Sequence, residues 1–315
     1  MSIYDIGIFG GDLRQVYMTL SFLSKGYRVA TYNICETIEG KITRVSNSLS
    51  LDNIHLQSSS LVTNNNYGTV NTLNELFESC TVLIGPIPLS RDQLTITAKN
   101  KVTSDMTIAH IAYLLKKHHI LIGGDIPPPL TELCDSKNIN YYDLIKDEKI
   151  AILNAIATSE GTIMEAIQSS DKNLHGSNCL VLGYGRCAKV LAQKLKALDS
   201  HVTITARRRE QLAEAEAYGL GTISLSDLKR SLHSFHFIIN TIPALILDKE
   251  CLVLVDPQAT LIDISSAPGG IDFNYAKERN LKAKLCLGLP GIVSPKTSSD
   301  ILVNEIVARI EKFNL

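Results

Sequence analysis

Two stretches of this 315-residue chain constrain its fold more than any other feature. Near the start, DIGIF (Asp5–Phe9) runs into Gly10-Gly11 and then a helical pattern. Past the middle, NCLVLG ends at Gly183 and opens through Gly185 into the helical stretch GRCAKVLAQKLKAL. A short apolar run, a glycine turn and a helix make the first half of a strand–helix–strand unit, the connection that parallel strands require. The same alternation continues. YRVATY, TVLIG, HILIG and NINYYD read as further strands of the first half, and HVTIT, FHFIIN, ATLIDI and KAKLCL as strands of the second. RREQLAEAEAYG is a helix closed by a C-cap glycine.

The pattern predicts an α/β protein: two Rossmann-like parallel-sheet domains with an interdomain cleft, joined by long helices. The expected boundaries are an N-terminal, substrate-side domain over 1–150, a connecting helix over 151–172, a dinucleotide-binding domain over 173–294 and a returning helix over 295–315. Ser46 to Thr69 is Ser/Asn-rich and reads as loops or an irregular edge, and Pro127-Pro128-Pro129 interrupts regular structure again.

Thirty-one Lys+Arg against 32 Asp+Glu give a net charge of −1, which excludes a strongly basic nucleic-acid binder. The start MSIYDIGIFGG lacks the basic and apolar regions of a secretion signal, and no apolar run approaches the roughly 18 residues of a membrane span. A cytoplasmic protein is expected. Seven widely spaced cysteines without a C-x-x-C, and eight histidines without an H-x-x-x-H pair, predict reduced thiols and no metal site.

The sharpest chemical signal is Gly183-Tyr184-Gly185-Arg186-Cys187-Ala188, a G-x-G-x-x-A turn between a buried strand and a helix. Gly183 permits the tight turn, Gly185 lets a pyrophosphate approach the backbone, and Ala188 keeps helix and strand close. An NAD enzyme usually carries an acid about 20 residues further on to hold the ribose 2′-OH. Here that zone reads Ala206-Arg207-Arg208-Arg209. Cations are unfavourable at a helix start unless an anion joins them, so NADP is favoured over NAD.

The first turn, Gly10-Gly11-Asp12-Leu13-Arg14-Gln15, is different, because Asp12 would oppose a phosphate. Two readings stand. Asp12 caps the helix and Arg14 lies in solvent, or the turn faces the cleft with Arg14 open to a substrate carboxylate. In the connecting helix, Ile152, Ile156, Ile163 and Ile167 form a stripe that is expected to be buried, and Glu160 falls on it, flanked by Thr158, Gly161 and Thr162. A buried carboxylate must be paired, protonated or functional. The plainer alternative is a Glu that reaches solvent or pairs with a lysine.

Three later turns follow strand ends: Asn240-Thr241-Ile242-Pro243, Ser265 to Gly270, and Leu289-Pro290-Gly291 on to Pro295-Lys296. Pro295 suits the first helical position after a Ser294 cap, which puts Lys296 in the first turn, again the wrong end for a cation without an anion.

GGDLRQ (10–15), EGTIMEAI (160–167), HGSNCLVLGYGR (175–186), NTIP (240–243), PGGIDFNYA (268–276) and GLPGIVSPKT (288–297) stand in the order and spacing of one family. At these residues the chain resembles the dipicolinate synthase A-subunit family, sporulation dehydrogenases of endospore-forming bacteria. Residues 46–80 match little, and Ala267 stands where the family usually has Arg before Pro-Gly-Gly. The resemblance implies NADP-dependent oxidation of a dihydrodipicolinate-type product of the lysine pathway to dipicolinic acid, in the mother-cell cytoplasm. It implies a flavoprotein-like B-subunit partner and leaves a homo-oligomer open.

Aromatising such a dicarboxylate removes one hydride and one proton, so positioning over the nicotinamide is the main task. The expected site has Glu160 as proton acceptor with Lys296. Asp12, Arg14, Gln15, Thr158, Gly161, Thr162, Pro268, Gly269, Gly270, Pro290 and Gly291 lie around the substrate. Gly183, Tyr184, Gly185, Arg186, Cys187, Ala206, Arg207, Arg208, Asn240, Thr241, Ile242, Pro243 and Ser265 lie around the cofactor. The alternatives are another NADP-dependent imino- or amino-acid dehydrogenase, or a non-catalytic NADP-binding scaffold for the flavoprotein partner.

Overall fold

The computed structural model describes residues 3–35 and 66–312. The chain divides into two compact units: Met1–Ala151 with Pro295–Leu315, and Ile152–Ser294. The division falls inside the helix Glu148–Gln168, and the final helix, Pro295–Lys312, belongs to the first unit.

In the first unit, β1 (Tyr4–Phe9), β2 (Val29–Tyr32), β3 (Tyr67–Thr69), β4 (Cys80–Ile84), β5 (Ile120–Gly123) and β6 (Asn140–Asp143) form one parallel sheet in the order β3-β2-β1-β4-β5-β6. Side chains alternate between its faces, as a two-residue period demands. Ile6, Ile8, Val82, Ile84, Ile120 and Ile122 face a core with Met18 and Phe22 of the helix Leu13–Ser24 and with Leu302, Val303 and Ile306 of the final helix. Phe9, Leu83 and Leu121 face the opposite core with Leu73, Leu76, Ile111 and Leu130.

The second unit repeats the plan with β7 (Asn178–Leu182), β8 (His201–Ala206), β9 (Gly221–Ser224), β10 (Phe237–Asn240), β11 (Thr260–Asp263) and β12 (Lys282–Leu285), ordered β12-β11-β10-β7-β8-β9. Cys179, Val181, Phe237, Ile239 and Ile262 fill one face, and Leu180, Leu182, Ile238 and Leu261 the other. Both sheets therefore have the doubly wound order that reverses at the first strand, at β1/β4 and at β7/β10. Ligands of such sheets bind outside the carboxyl ends of the strands at that reversal.

The alternation of apolar runs predicts ten of these strands. It misses β3 and β9, three- and four-residue strands at sheet edges whose residues are mostly half-exposed, so no apolar run marks them. The expected irregular stretch from Ser46 falls outside the described residues up to position 65, and its end, Tyr67–Thr69, is β3.

The helix Glu148–Gln168 departs from expectation most. Ile152, Ile156 and Ile167 are exposed, and the buried residues are Ile150, Ala155, Ala157, Ser159, Gly161, Thr162, Glu165 and Ala166. Around Gly161 the helix buries small side chains because it packs closely there. A Cβ on Gly161 would lie 3.1 Å from Leu289 Cβ and 3.2 Å from Val293 Cγ2. By length and composition alone it could cross a membrane, yet Glu160 and Glu165 are ion-paired to Lys194 and Lys284 of the same unit.

Candidate functional site

The β7 turn of the second unit is built by elimination of side chains. Gly183 has φ +98°, and a Cβ there would sit 2.6 Å from Thr241 Oγ1 and 3.0 Å from Ile242 Cγ1, so only glycine fits. Thr241 is held beneath it, its Oγ1 donating to Leu182 O at 2.8 Å. Gly185 caps the helix Arg186–Ala197 with extended backbone and no side-chain hydrogen bond, and a Cβ placed on it would meet nothing within 4 Å. The first N–H groups of that helix are left for a ligand.

Tyr184 and Ala188 are buried behind the turn, as close helix–strand packing requires, while Arg186 is exposed. Cys187 sits half-buried beside it. Burial raises its thiol pKa, against the pull of the Arg186 charge, and keeps the thiol protonated. A turn whose second glycine faces open space fits a pyrophosphate.

At the end of β8, Ala206 is buried and Arg207 and Arg208 are exposed. Among the described residues neither arginine side chain has a hydrogen-bond or ion-pair partner. Arg208 is the N-cap of the helix Arg209–Ala217 and supplies no side-chain cap. No carboxylate occupies the strand end, so two cations stand at the dipole's positive end with only Glu210 of the first turn to offset them.

The ends of β10 and β11 are tied into one buried polar network. Asn240 Nδ2 donates to Ile242 O at 2.9 Å, to Asp263 Oδ1 at 2.9 Å and to Ser265 Oγ at 3.2 Å, and Asn240 Oδ1 accepts from Ile242 N at 3.1 Å. Asp263 Oδ1 also accepts from Ser265 N and Oγ, and Oδ2 accepts from Gly270 N at 2.6 Å. The network fixes Asn240, Ser265 and Gly270 together, with Thr241, Ile242 and exposed Pro243 on its rim. Asp263 is the member that sequence reading missed. Its signal is an acid closing the otherwise apolar strand of ATLIDI.

In the first unit, the β1 turn is closed by its own side chains. Asp12 caps the helix Leu13–Ser24, accepting from Arg14 N at 2.9 Å, and Gln15 Oε1 accepts from Asp12 N at 2.8 Å, a reciprocal capping box. Arg14 is neither solvated nor free for a substrate. Its guanidinium holds Asp12 through two hydrogen bonds of 3.0 and 2.8 Å and donates to Ile87 O at 2.6 Å, with 8 % of its side chain exposed. Gln15 is fully buried. Gly11 N donates to Thr97 O, so the chain after β4 lies across this turn.

Other expectations on the substrate residues are corrected by the packing. Glu160 is not on a buried stripe. It is half-exposed and pairs with Lys194 at 2.8 Å, the plainer of its two readings. The buried acid of that helix is Glu165, paired with Lys284. Thr158 and Thr162 spend their hydroxyls on carbonyls four residues back, at 2.9 and 2.7 Å. What approaches Gly161 is protein, namely Leu289 and Val293 of the short helix Leu289–Val293, which also contains Pro290 and Gly291. Lys296 is exposed and pairs with Asp300 one turn on, at 2.9 Å, so no foreign anion is needed to explain it. Pro268 has no N–H, Gly269 N donates to Ser266 O, and Gly270 N is taken by Asp263.

Comparison with known proteins agrees with this division. Residues 59–145 match the family described as the N-terminal domain of the dipicolinate synthase A-subunit, and residues 151–268 match the D-isomer specific 2-hydroxyacid dehydrogenase, NAD binding domain. The dipicolinate synthase A-subunit of Bacillus subtilis (strain 168) is 38% identical over 187 residues, 59% of this chain and 63% of that protein's length, so the match spans less than two thirds of that relative.

Two crystal structures align along nearly the whole chain. The dipicolinate synthase A-subunit from Bacillus halodurans has a TM-score of 0.78 at 28% identity, covering 98% of this chain and 97% of that one. Its counterpart in the dipicolinate synthase of Bacillus subtilis has 0.78 at 27%, covering 100% and 98%. An L-alanine dehydrogenase, with a TM-score of 0.60 at 12% identity, shares the fold. Residues 151–268, most of the second unit, thus match a nicotinamide-dinucleotide-binding domain.

Proposed function

We propose that the chain is a dipicolinate synthase A-subunit, the protein it resembles in sequence and fold, and that it oxidises a dihydrodipicolinate-type dicarboxylate to dipicolinic acid with NADP, in the cytoplasm of a sporulating cell. When bound, the nicotinamide supplies the acceptor for the hydride that aromatisation removes. The chain's own residues bind and orient. Gly185 leaves room for the pyrophosphate, and the N–H groups at the start of the helix Arg186–Ala197 face its charge. Arg207 and Arg208 grip the 2′-phosphate with forked donors.

The observation that carries the reading is the end of β8, where two exposed arginines without side-chain partners among the described residues stand in place of the carboxylate that would hold a free 2′-hydroxyl. For the substrate's carboxylates, Lys296 is the readier cation. Its pair with Asp300 is exposed and exchanges at little cost, whereas Arg14 is buried and held by Asp12 and Ile87. With Glu160 on the surface and Lys296 serving as a cation, a water takes the proton.

The family name also motivates a second, flavoprotein-like polypeptide as partner, the B-subunit. The test is purified protein given NADP and enzymatically generated dihydrodipicolinate, with dipicolinate followed by its ultraviolet absorbance. Product from this chain alone supports the reading. Product only when the partner polypeptide is added supports the scaffold alternative.

A further inference from the structure

Asp263 is buried with none of its surface exposed, and no cation pairs with it among the described residues. Four donors surround its carboxyl: the Asn240 amide at 2.9 Å, Ser265 N at 2.9 Å and Ser265 Oγ at 2.7 Å on Oδ1, and Gly270 N at 2.6 Å on Oδ2. The two backbone N–H groups and the amide can only donate. Both oxygens therefore accept hydrogen bonds. A buried, hydrogen-bonded anion without a counter-cation is costly to keep, and a neutral side chain would satisfy the strand end more cheaply.

Its place in the sheet suggests what offsets it. In a doubly wound sheet the two nucleotides lie on opposite sides of the strand-order reversal. The arginines at the end of β8 take the adenosine side, so the nicotinamide side falls to the carboxyl ends of β10 and β11, where Asp263 closes β11. The oxidised nicotinamide ring carries a positive charge that the reduced ring lacks. A fixed anion beneath that side favours the oxidised form, and low local polarity lets the field reach it.

We propose that Asp263 is a positioning residue with two effects: it clasps Asn240, Ser265 and Gly270 at the rim of the site, and its charge biases the site toward oxidised over reduced dinucleotide. This rests on the dinucleotide-binding reading and extends it to direction. A dehydrogenase that consumes a substrate oxidatively gains from holding the oxidised cofactor at least as well as the reduced one.

The experiment is equilibrium binding of NADP+ and of NADPH, each alone, by calorimetry on the full chain and on Asp263→Asn, with thermal melting as the fold check. The wild type is expected to bind NADP+ at least as tightly as NADPH. In the folded variant the ratio of Kd for NADP+ to Kd for NADPH should rise about tenfold, or ~1.4 kcal/mol. A purely structural clasp would weaken both forms alike and leave the ratio unchanged, and that result overturns the proposal. Should Asp263→Asn fail to fold, the wild-type ratio decides, and NADPH binding threefold or more tighter than NADP+ overturns it. A wild type that binds neither form overturns the dinucleotide reading itself and the proposal with it, a failure distinct from an unchanged ratio.

Discussion

The two units share a strand order and a glycine turn at its reversal, yet the turns are opposites. In the second unit the helix Arg186–Ala197 begins at Gly185 with no side-chain cap and open space where a Cβ would be. In the first unit the helix Leu13–Ser24 begins at Asp12, whose carboxylate occupies the helix N-terminus and is itself held by Arg14. Gly11 there has φ +81°, and a Cβ on it would fall 2.2 Å from Gln15 Oε1. One turn uses glycine to make room for something outside the protein, and the other to make room for its own side chains. Topology offers both units an anion site; one supplies the anion internally and so closes it.

The contrast can be broken at its strongest point by Gly185→Val. A Cβ there meets no protein atom within 4 Å, so the melting temperature should hardly change, while the pyrophosphate's place is filled and NADP(H) binding should fall more than about 100-fold in calorimetry, or ~2.7 kcal/mol. A folded variant that still binds would reduce Gly183–Ala188 to a structural turn.

The mirror substitution, Asp12→Ala, should do the reverse. It removes a helix cap and strands a nearly buried guanidinium, costing about 3 kcal/mol in urea unfolding, with dinucleotide affinity unchanged. A loss below about 1 kcal/mol would mean the first turn is not held shut in this way.

The first unit also carries a buried histidine that tests its acid stability. His119 Nδ1 accepts from Lys116 N and Nε2 donates to Phe77 O, both at 3.0 Å, so the neutral ring is fully used. Burial, with a smaller contribution from the charge of His118, lowers its pKa to about 4. The unfolded chain takes up this proton near the ordinary value of about 6.5, well before the folded one does. Its stabilisation is therefore complete above about pH 6.5 and is lost as pH falls toward 4, by roughly 2–3 kcal/mol. Unfolding curves for wild type and His119→Gln between pH 7 and 4 should converge on acidification, and parallel curves would contradict the assignment.

Replacing Arg207 and Arg208 with serine sharpens the cofactor side. NADP affinity should drop roughly 10- to 100-fold, about 1.4–2.7 kcal/mol, and NAD affinity should stay the same. Equal wild-type affinity for the two cofactors would remove the NADP assignment. The smallest effect is expected at Glu160→Gln, which breaks a half-exposed ion pair with Lys194 worth less than about 1 kcal/mol. Turnover should stay within about threefold of wild type, and a loss of about 100-fold or more would restore Glu160 as a base.

The positions that sequence reading placed well are those where one residue answers to backbone geometry alone. Gly183 and Gly185 follow from strand, turn and helix in succession, and the arginines after β8 from their distance along the chain. It failed on the helix Glu148–Gln168. Its isoleucines mark an apolar stripe, and apolar stripes usually face inward. Here the close approach of Leu289 and Val293 to Gly161 selects the face with small side chains and turns the larger ones out. Arg14 was misread for a similar reason: its second partner, Ile87 O, lies 73 residues away.

Periodicity, φ and short-range spacing are local properties, and they were enough for the two parallel sheets, the glycine turn of the second unit and the charge at the end of β8. Other features needed contacts across the fold: the closing of the first turn by Asp12, Arg14 and Gln15, the turning of Glu160 to solvent, and the gathering of Asn240, Ser265 and Gly270 around Asp263. Each of these depends on which side chain finds a distant partner. A polar group's role is set by the donor or acceptor that reaches it, and no spacing along the chain states that.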